Sequence, residues 1–289
     1  MPGHAISERE EIMDKADYGR LVRLIYEQSG INFGPEKKTM VELRIKRRLR
    51  SLKLDSFANY VAYLFGPHGH KEELVHLLDV VSTNKTDFFR EPDHFDFLIE
   101  KALPELMSRN ESGRPLLIWS AGCSTGEEPY TLAMVMSEYG ATHTGFRFSV
   151  LATDLSTAVL AKAQRGVFSA EIVQPVPSEL KRKYFMRSRD RDSNLLRVVP
   201  ELRRMIEFRR LNFMDADFGL AHKVDCFFCR NVIIYFDRST QQQIMLKLAN
   251  QLLPGGYAFV GHSETLHGMN LPLVPIAPAL YRKPQDART

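Results

Sequence analysis

Apolar positions in the first part of the chain recur at helical spacing, and no stretch alternates as a half-buried strand would. The apolar stripes predict helices at about 14–30, 35–52, 56–65 and 71–80. A polar segment at 82–86 then interrupts the pattern. We therefore expect residues 1–85 to form an all-helical domain that ends in a linker.

Beyond the linker, apolar runs alternate with helical stripes, which is typical of a parallel α/β sheet with crossover helices. A helix is predicted at 92–109. The predicted strands lie at 116–120, 147–153, 205–211, 224–228, 256–261 and 278–283. The segment 169–200 interrupts this order with a hairpin candidate, whose strands are 185–187 and 195–199. We expect an α/β domain over 86–289 that carries this segment as a small antiparallel β insertion.

Small residues follow the first predicted strand and lead into a helix, so the backbone there can approach a ligand closely. Dinucleotide folds seat phosphates at such a turn, but here Glu127 and Glu128 stand at the start of the helix. Two carboxylates repel an anion and attract a cation or ribose hydroxyls. The loop therefore predicts a nucleoside site whose ligand is not a pyrophosphate; the alternative is an ordinary glycine-rich turn.

Polar residues also follow the other predicted strands. Asp154 ends the second strand, Asn212 follows the third, and Arg230, Asn231 and Tyr235 follow the fourth. Ligands of such sheets bind beyond the carboxyl ends of the strands, so these side chains are expected to face one crevice. For Asp154 a second interpretation stays open, because an aspartate before a helix is also a common N-cap.

The composition, 44% hydrophobic and 26% charged, is typical of a soluble globular protein. No apolar run approaches the roughly 20 residues that a membrane span needs, and the N-terminus lacks a signal-peptide core. We expect a cytoplasmic protein without membrane insertion. Three cysteines fit a reducing compartment. Cys226 and Cys229 are three apart in a predicted strand and point to opposite faces, which argues against a metal site or disulfide.

Basic residues concentrate in the second predicted helix, where the expected docking residues are Lys37, Arg44, Lys46, Arg47, Arg48 and Arg50. One interpretation is a solvated surface with an uneven charge count, and the other is a docking face for nucleic acid or an acidic protein surface. The helix has no interleaved aromatic residues for base stacking, and the net charge of +4 is low for a phosphate binder. Both features argue against nucleic acid.

Four segments together resemble the bacterial chemotaxis-receptor glutamate methyltransferases, the CheR family. The resemblance is carried by residues 83–91, 119–130, 228–236 and 261–264, and it extends over nearly the whole chain. It implies a Rossmann-like, SAM-dependent methyltransferase sheet, with S-adenosylmethionine (SAM) as methyl donor, S-adenosylhomocysteine as product and no metal. It further implies that the acceptors are glutamates on the cytoplasmic helices of chemoreceptors (methyl-accepting chemotaxis proteins).

The resemblance also implies roles for individual residues. It places Arg90 and Tyr235 nearest the transferred methyl group, and it assigns the basic helix to receptor docking. The implied SAM contacts are Asn84, Thr86, Arg90, Glu128, Asp154, Asn212, Phe213, Arg230 and Asn231. The loop 188–194 of the β insertion lacks the glycines found in relatives that bind a receptor C-terminal pentapeptide. The resemblance therefore does not support tethering of that kind.

Methyl transfer to a carboxylate needs no general base, catalytic triad or metal, which agrees with the absence of such motifs from the sequence. A glutamate carboxylate, with an ordinary pKa of about 4.3, is already a nucleophile at neutral pH. Transfer to it needs positioning rather than a general base, so we expect a structural role for His262. Phe88 and Phe89 are expected either to exclude water or to be core residues, and Arg90 either to act in the site or to pair with a neighbouring acid. The competing functions are a SAM-dependent RNA methyltransferase and a non-catalytic SAM-binding module that docks on nucleic acid.

Overall fold

The computed structural model describes residues 12–67, 69–110, 112–188, 190 and 193–285. The chain divides into two compact units, with the boundary between Thr83 and Asn84. No helix within the described residues is long and apolar enough to cross a membrane.

The first unit is helical. Its helices are α1 (Lys15–Ser29), α2 (Lys38–Leu52), α3 (Phe57–Leu64) and α4 (Gly69–Val81), and a 3-10 turn at Pro35–Lys37 leads into α2. Asp14 caps α1 by accepting a hydrogen bond from the Ala16 backbone N–H, and Gly30 ends it with a φ of 74°. The bounds of the predicted helices 14–30, 56–65 and 71–80 agree with α1, α3 and α4 to within two residues, and the predicted helix 35–52 covers the 3-10 turn together with α2. One face of α2 is buried and forms the core side of the helix, through Val41, Ile45 and Leu49.

The second unit is built on a mixed sheet. Its strands are β1 (Leu116–Ala121), β2 (Phe148–Asp154), β6 (Ile206–Arg210), β7 (Val224–Cys229), β8 (Leu252–Val260), β9 (Val274–Ala277) and β10 (Leu280–Arg282). In the described part of the unit these seven strands follow the order β6-β2-β1-β7-β8-β10-β9. All six residues of β7 are buried, as expected for a central strand covered on both faces.

One edge of this sheet differs from the prediction. The first five strands in the order are parallel, but β10 runs antiparallel to both β8 and β9. The prediction of a parallel sheet is therefore wrong for β10, and β9 was not predicted at all. Only Pro278 and Ala279 separate the two strands, and so short a connection can join only antiparallel neighbours. Pro275 within β9 hides the strand pattern and is tolerated because β9 lies at the edge.

The helices of the second unit cover the sheet and its connections. They are α5 (Asp93–Phe97), α6 (Leu103–Arg109), α7 (Glu127–Thr142), α8 (Thr157–Arg165), α9 (Ser178–Tyr184), α10 (Pro200–Arg204) and α11 (Arg238–Gln251). The predicted helix 92–109 is interrupted by a π-helical turn at Leu98–Ala102, where the Leu103 N–H bonds to the Leu98 carbonyl. Pro104 follows at once and has no N–H for a regular helical bond, which favours this local widening.

The β insertion has one strand more than predicted. Among its described residues, β3 (Val167–Ser169), β4 (Phe185–Arg187) and β5 (Leu195–Val198) form an antiparallel sheet in the order β3-β5-β4. Residues 189, 191 and 192 of the predicted glycine-free loop lie outside the described residues. The fold class is confirmed: an α/β sheet with an N-terminal helical unit and a small antiparallel insertion.

Candidate active site

The glycine-rich loop joins β1 to α7 at the carboxyl edge of the sheet. The Gly122 and Cys123 N–H groups donate to the Thr153 carbonyl at 2.8 and 2.9 Å, which ties the loop to the end of β2. Gly122 has a φ of 88°, and a Cβ atom there would lie 2.5 Å from a methyl carbon of Val232. Only glycine fits this position, both for its backbone conformation and for its contact with the loop after β7.

The two glutamates that begin α7 are both buried and have separate partners. The Thr125 hydroxyl donates to the Glu127 carboxylate at 2.6 Å, and burial raises the pKa of the Glu127 carboxyl. Glu128 accepts from the Ser120 hydroxyl at 2.6 Å and from the Arg230 Nε at 2.7 Å. Glu127 faces its own loop, and Glu128 belongs to a buried ion pair.

Asp154 connects the end of β2 to the glycine loop. Its carboxylate accepts from the Ser124 N–H and from the Ser156 N–H, both at 2.9 Å. The N-cap of α8 is Ser156, whose hydroxyl accepts from the Val159 N–H. The N-cap interpretation of Asp154 is wrong because α8 begins only at Thr157, one residue after Ser156.

The segment that opens the second unit runs beside this loop. The Ser124 hydroxyl donates to the Asn84 carbonyl at 2.8 Å, and the Phe89 N–H donates to the Thr131 hydroxyl at 3.2 Å. Phe88 is fully buried, with its ring 5.0 Å from that of Phe168, so it is a core residue. The segment brings Asn84 and the Arg90 backbone to the same edge of the sheet, and Thr86 lies half-buried between them.

Arg230 follows β7 and joins several of these groups, although only 2% of its side chain is exposed. Besides the ion pair with Glu128, its Nη1 donates to the Arg90 carbonyl at 2.6 Å and lies 3.5 Å from a Glu91 carboxylate oxygen. The same Nη1 lies 3.3 Å from Nδ1 of His94. A buried guanidinium needs such partners, because removing it from water without them is very unfavourable.

His94 is buried against this guanidinium. Burial, and then the charge of Arg230, lower the pKa of His94 to about 4, so its imidazole is neutral at pH 7. Since Arg230 can only donate, Nδ1 accepts and the proton lies on Nε2, which has no hydrogen-bond partner among the described residues. The His262 imidazole is exposed, with Nε2 3.0 Å from an Asp93 oxygen, while its backbone N–H donates to Glu91 at 3.2 Å.

A carboxylate outside the predicted site residues shapes the loop after β7. Glu264 is buried and accepts from the backbone N–H groups of Asn231, Val232 and Ile233, each at 2.8 Å. Asn231 has a left-handed backbone with a φ of 57°. Tyr235 ends the short 3-10 helix that follows and is half-buried. A glutamate just beyond the apolar strand β8 was the available signal for this role.

Asn212 and Phe213 follow β6 on the other side of β2. The Asn212 side-chain oxygen accepts from the Met214 N–H at 3.0 Å, and the Phe213 ring lies 6.0 Å from that of Phe218. Of the predicted site residues, the structure therefore joins Glu128, Arg230 and Arg90 by direct contacts. Asn212 and Phe213 lie at the same edge of the sheet, beyond the end of β6.

The basic residues of α2 divide into two groups. Arg48 donates through two nitrogens to the buried Glu73 carboxylate, each at 2.8 Å, and the Tyr60 hydroxyl donates to the same carboxylate at 3.1 Å. Arg44 donates to the Val81 carbonyl and, at 3.0 Å, to the Thr83 hydroxyl. The guanidinium groups of these two arginines therefore have partners within the helical unit. The remaining candidates are Lys37, Lys46, Arg47 and Arg50.

The sequence of this chain matches two family models and several known proteins. Residues 16–82 match a model described as the all-alpha domain of CheR methyltransferase, and residues 84–276 match its SAM binding domain. A chemotaxis protein methyltransferase of Borreliella burgdorferi strain B31 is 39% identical over 93% of this chain and 94% of its own length. One from Escherichia coli strain K12 is 38% identical over 90% of this chain and 87% of its own length.

Among solved structures, the magnesium protoporphyrin IX methyltransferase ChlM from Synechocystis with bound SAM is 12% identical, with a TM-score of 0.34 over 76% of this chain and 91% of its own. PKMT2 from Rickettsia typhi in complex with AdoHcy has the same TM-score at 18% identity, over 62% of this chain and 26% of its own.

Proposed function

The chain belongs to the CheR family of SAM-dependent methyltransferases, and on that premise we propose that it esterifies glutamate side chains on the cytoplasmic helices of chemoreceptors. The observation that carries the proposal is the buried Arg230 guanidinium. It joins Glu128, which follows the glycine loop, to the backbone of Arg90. A methyl donor held at that loop would thus lie beside the residue proposed to receive the acceptor carboxylate.

The residues at the sheet edge fit SAM chemically. SAM carries a sulfonium and an ammonium, a carboxylate and two ribose hydroxyls, and Asp154, Glu128 and Arg230 offer groups of matching charge. When bound, SAM would supply an activated methyl group. We propose that it is held by Asn84, Thr86, Arg90, Glu128, Asp154, Asn212, Phe213, Arg230 and Asn231.

The proposed reaction is an in-line displacement. A glutamate oxygen forms a bond to the methyl carbon while the carbon–sulfur bond breaks, and the bonding pair stays on sulfur, which gives a methyl ester and S-adenosylhomocysteine. No proton is transferred. Arg90 would keep a partly desolvated acceptor carboxylate ionised, against the burial that raises its pKa. Arg90 and Tyr235 would align oxygen and methyl about 3–3.5 Å apart.

We further propose that the receptor docks on α2 and on the 3-10 turn before it, through Lys37, Lys46, Arg47 and Arg50. Lys37, Arg47 and Arg50 are exposed, whereas Lys46 is half-buried. Such a face attracts helices rich in carboxylates, and the attraction weakens as salt screens it. The reaction would take place in the cytoplasm, where receptor signalling helices lie.

The test is to incubate the protein with methyl-labelled SAM and receptor cytoplasmic fragments and then treat the product with mild base. Carboxyl methyl esters release volatile labelled methanol, whereas methylated amines and nucleobases do not. The variant Arg90→Ala should lose this release, and the matched control Arg182→Ala, on the exposed surface of α9, should keep it. Base-stable label, or label transferred to RNA instead, would refute the proposal.

A further inference from the structure

Arg90 lies between two residues with an unusual backbone. Phe89 has a φ of 54° and Glu91 a φ of 55°, both in the left-handed region. This conformation is unfavourable for residues with large side chains. A segment of this kind keeps its conformation only if contacts with its surroundings hold it. The contacts of residues 89–91 therefore determine the point from which the Arg90 side chain leaves the backbone.

Contacts on both sides of Arg90 hold the segment. On one side the Thr131 hydroxyl accepts from the Phe89 N–H, as described above. On the other side the two carboxylate oxygens of Glu91 have different partners: one accepts from the His262 N–H at 3.2 Å, and the other lies 3.5 Å from Arg230 Nη1. Between them, Arg230 donates to the Arg90 carbonyl itself at 2.6 Å.

The same carboxylate belongs to a cluster with the composition of a metal site. Ligand atoms of Glu91, His94 and His262 lie within 4.8 Å of one another. However, Arg230 Nη1 contacts both His94 Nδ1, at 3.3 Å, and Glu91. A cation at the cluster would meet this guanidinium at close range and would be repelled by its positive charge. The geometry therefore favours an organising role for Glu91 over metal binding.

We propose that Glu91 is a positioning residue for the methyl transfer, which acts by fixing the peptide of Arg90 together with Arg230. This inference rests on the function proposed for Arg90. Within the described part of the chain, the hydrogen bond of the Arg90 side chain is a long one, 3.4 Å from Nη1 to the Lys85 carbonyl, so the direction of the side chain depends on the backbone from which it starts. Glu91 is connected to the start of α7 through Arg230, which also binds Glu128.

Two variants test the proposal in the full-length protein. Glu91→Gln keeps the shape but removes the charge that faces Arg230, and Asp96→Asn makes the same change at an exposed position of α5. We expect Glu91→Gln to lower kcat roughly 10- to 100-fold, because small misplacements at a reacting group have effects of that size. KM for SAM should change less than about threefold, and Asp96→Asn should match the unmodified protein.

A double-mutant comparison separates positioning from a general structural effect. If Glu91 acts through Arg90, Glu91→Gln should lower kcat no more than about twofold further in an Arg90→Lys background, since the two effects are not independent. An equal loss in both backgrounds, or an unchanged kcat in the single variant, would overturn the proposal. If Glu91→Gln does not fold, Glu91→Asp, which keeps the charge but shortens the reach, is judged by the same comparison.

Hydrogen exchange gives a readout that does not depend on activity. Amides of residues 84–91 should exchange at least about tenfold faster in Glu91→Gln than in Asp96→Asn, because the left-handed backbone loses its support. Unchanged exchange would overturn the inference even if methyl transfer is confirmed. If the unmodified protein methylates no receptor, the proposed function fails, whereas faster exchange in Glu91→Gln would still show that Glu91 holds this segment.

Discussion

Two adjacent arginines of α2 should respond oppositely to the same substitution. Arg48 forms the two-nitrogen contact with Glu73 inside the helical unit, whereas Arg47 is exposed. We predict that Arg48→Ala destabilises the helical unit, and that Arg47→Ala leaves it intact but weakens receptor binding. Both variants remove one positive charge, at neighbouring positions of the same helix, so each variant is the control for the other.

The size of the effect follows from burial. Glu73 is 1% exposed and the Arg48 side chain 16%, so Arg48→Ala leaves a buried carboxylate with Tyr60 as its remaining side-chain donor. Breaking a buried ion pair from one side destabilises a protein by about 3–5 kcal/mol. Because water can enter the space left by Arg48, we expect the lower end, about 3 kcal/mol. Removal of Arg47 should change the free energy of unfolding by less than about 0.5 kcal/mol.

Hydrogen exchange followed by mass spectrometry measures the loss of stability in the helical unit directly. A loss of 3 kcal/mol corresponds to roughly 100-fold faster exchange of the most protected amides in α2 and α4. Receptor binding by Arg47→Ala should weaken several-fold at low salt and hardly at all at high salt, where surface charges are screened. Equal exchange in Arg48→Ala and Arg47→Ala would refute the structural role of the Arg48–Glu73 pair.

Three further predictions concern the second unit. Because the pKa of His94 is about 4 when folded and about 6.5 when unfolded, the unfolded chain binds an extra proton between these values. The free energy of unfolding should therefore fall, by up to about 3 kcal/mol, as the pH drops from 6.5 to 4, and His94→Asn should flatten that part of the curve. Glu128→Gln should weaken SAM binding in calorimetry at least about tenfold, since the Arg230 guanidinium loses its closest charged partner. Burial raises the pKa of all three cysteine thiols, so a maleimide should label them in urea but not in the native protein: Cys123, Cys226 and Cys229.

The parts of the fold that could be predicted from sequence are those that depend on local patterns. The apolar stripe Val41, Ile45 and Leu49 places α2 correctly, and the apolar run before Gly122 places β1. The hairpin of β9 and β10 was missed, because Pro275 removes the strand signal and the pairing direction depends on a partner strand about 20 residues earlier in the chain.

In the candidate site, too, some features could be predicted from the sequence and others could not. The residue types at the strand ends were predictable, since the topology of a parallel sheet brings them to one edge. Their partners were not, because the Glu128–Arg230 contact joins residues 102 positions apart and the Arg48–Glu73 contact joins residues 25 apart. The sequence does not show whether a basic residue on a helix faces solvent or a buried carboxylate. Only the packed structure distinguishes these two environments.

The way Arg90 is held bears on how the site could accept a carboxylate. Its carbonyl has a short, charge-assisted hydrogen bond to Arg230 at 2.6 Å, whereas its own guanidinium has a contact of 3.4 Å to the Lys85 carbonyl. A firmly held backbone fixes the origin of the side chain, so little entropy is lost there when a substrate binds. A weakly held guanidinium breaks no strong bond in order to turn toward an acceptor oxygen. For the proposed reaction, whose nucleophile is already ionised, this combination would supply a charged group in a defined place that remains available to the incoming carboxylate.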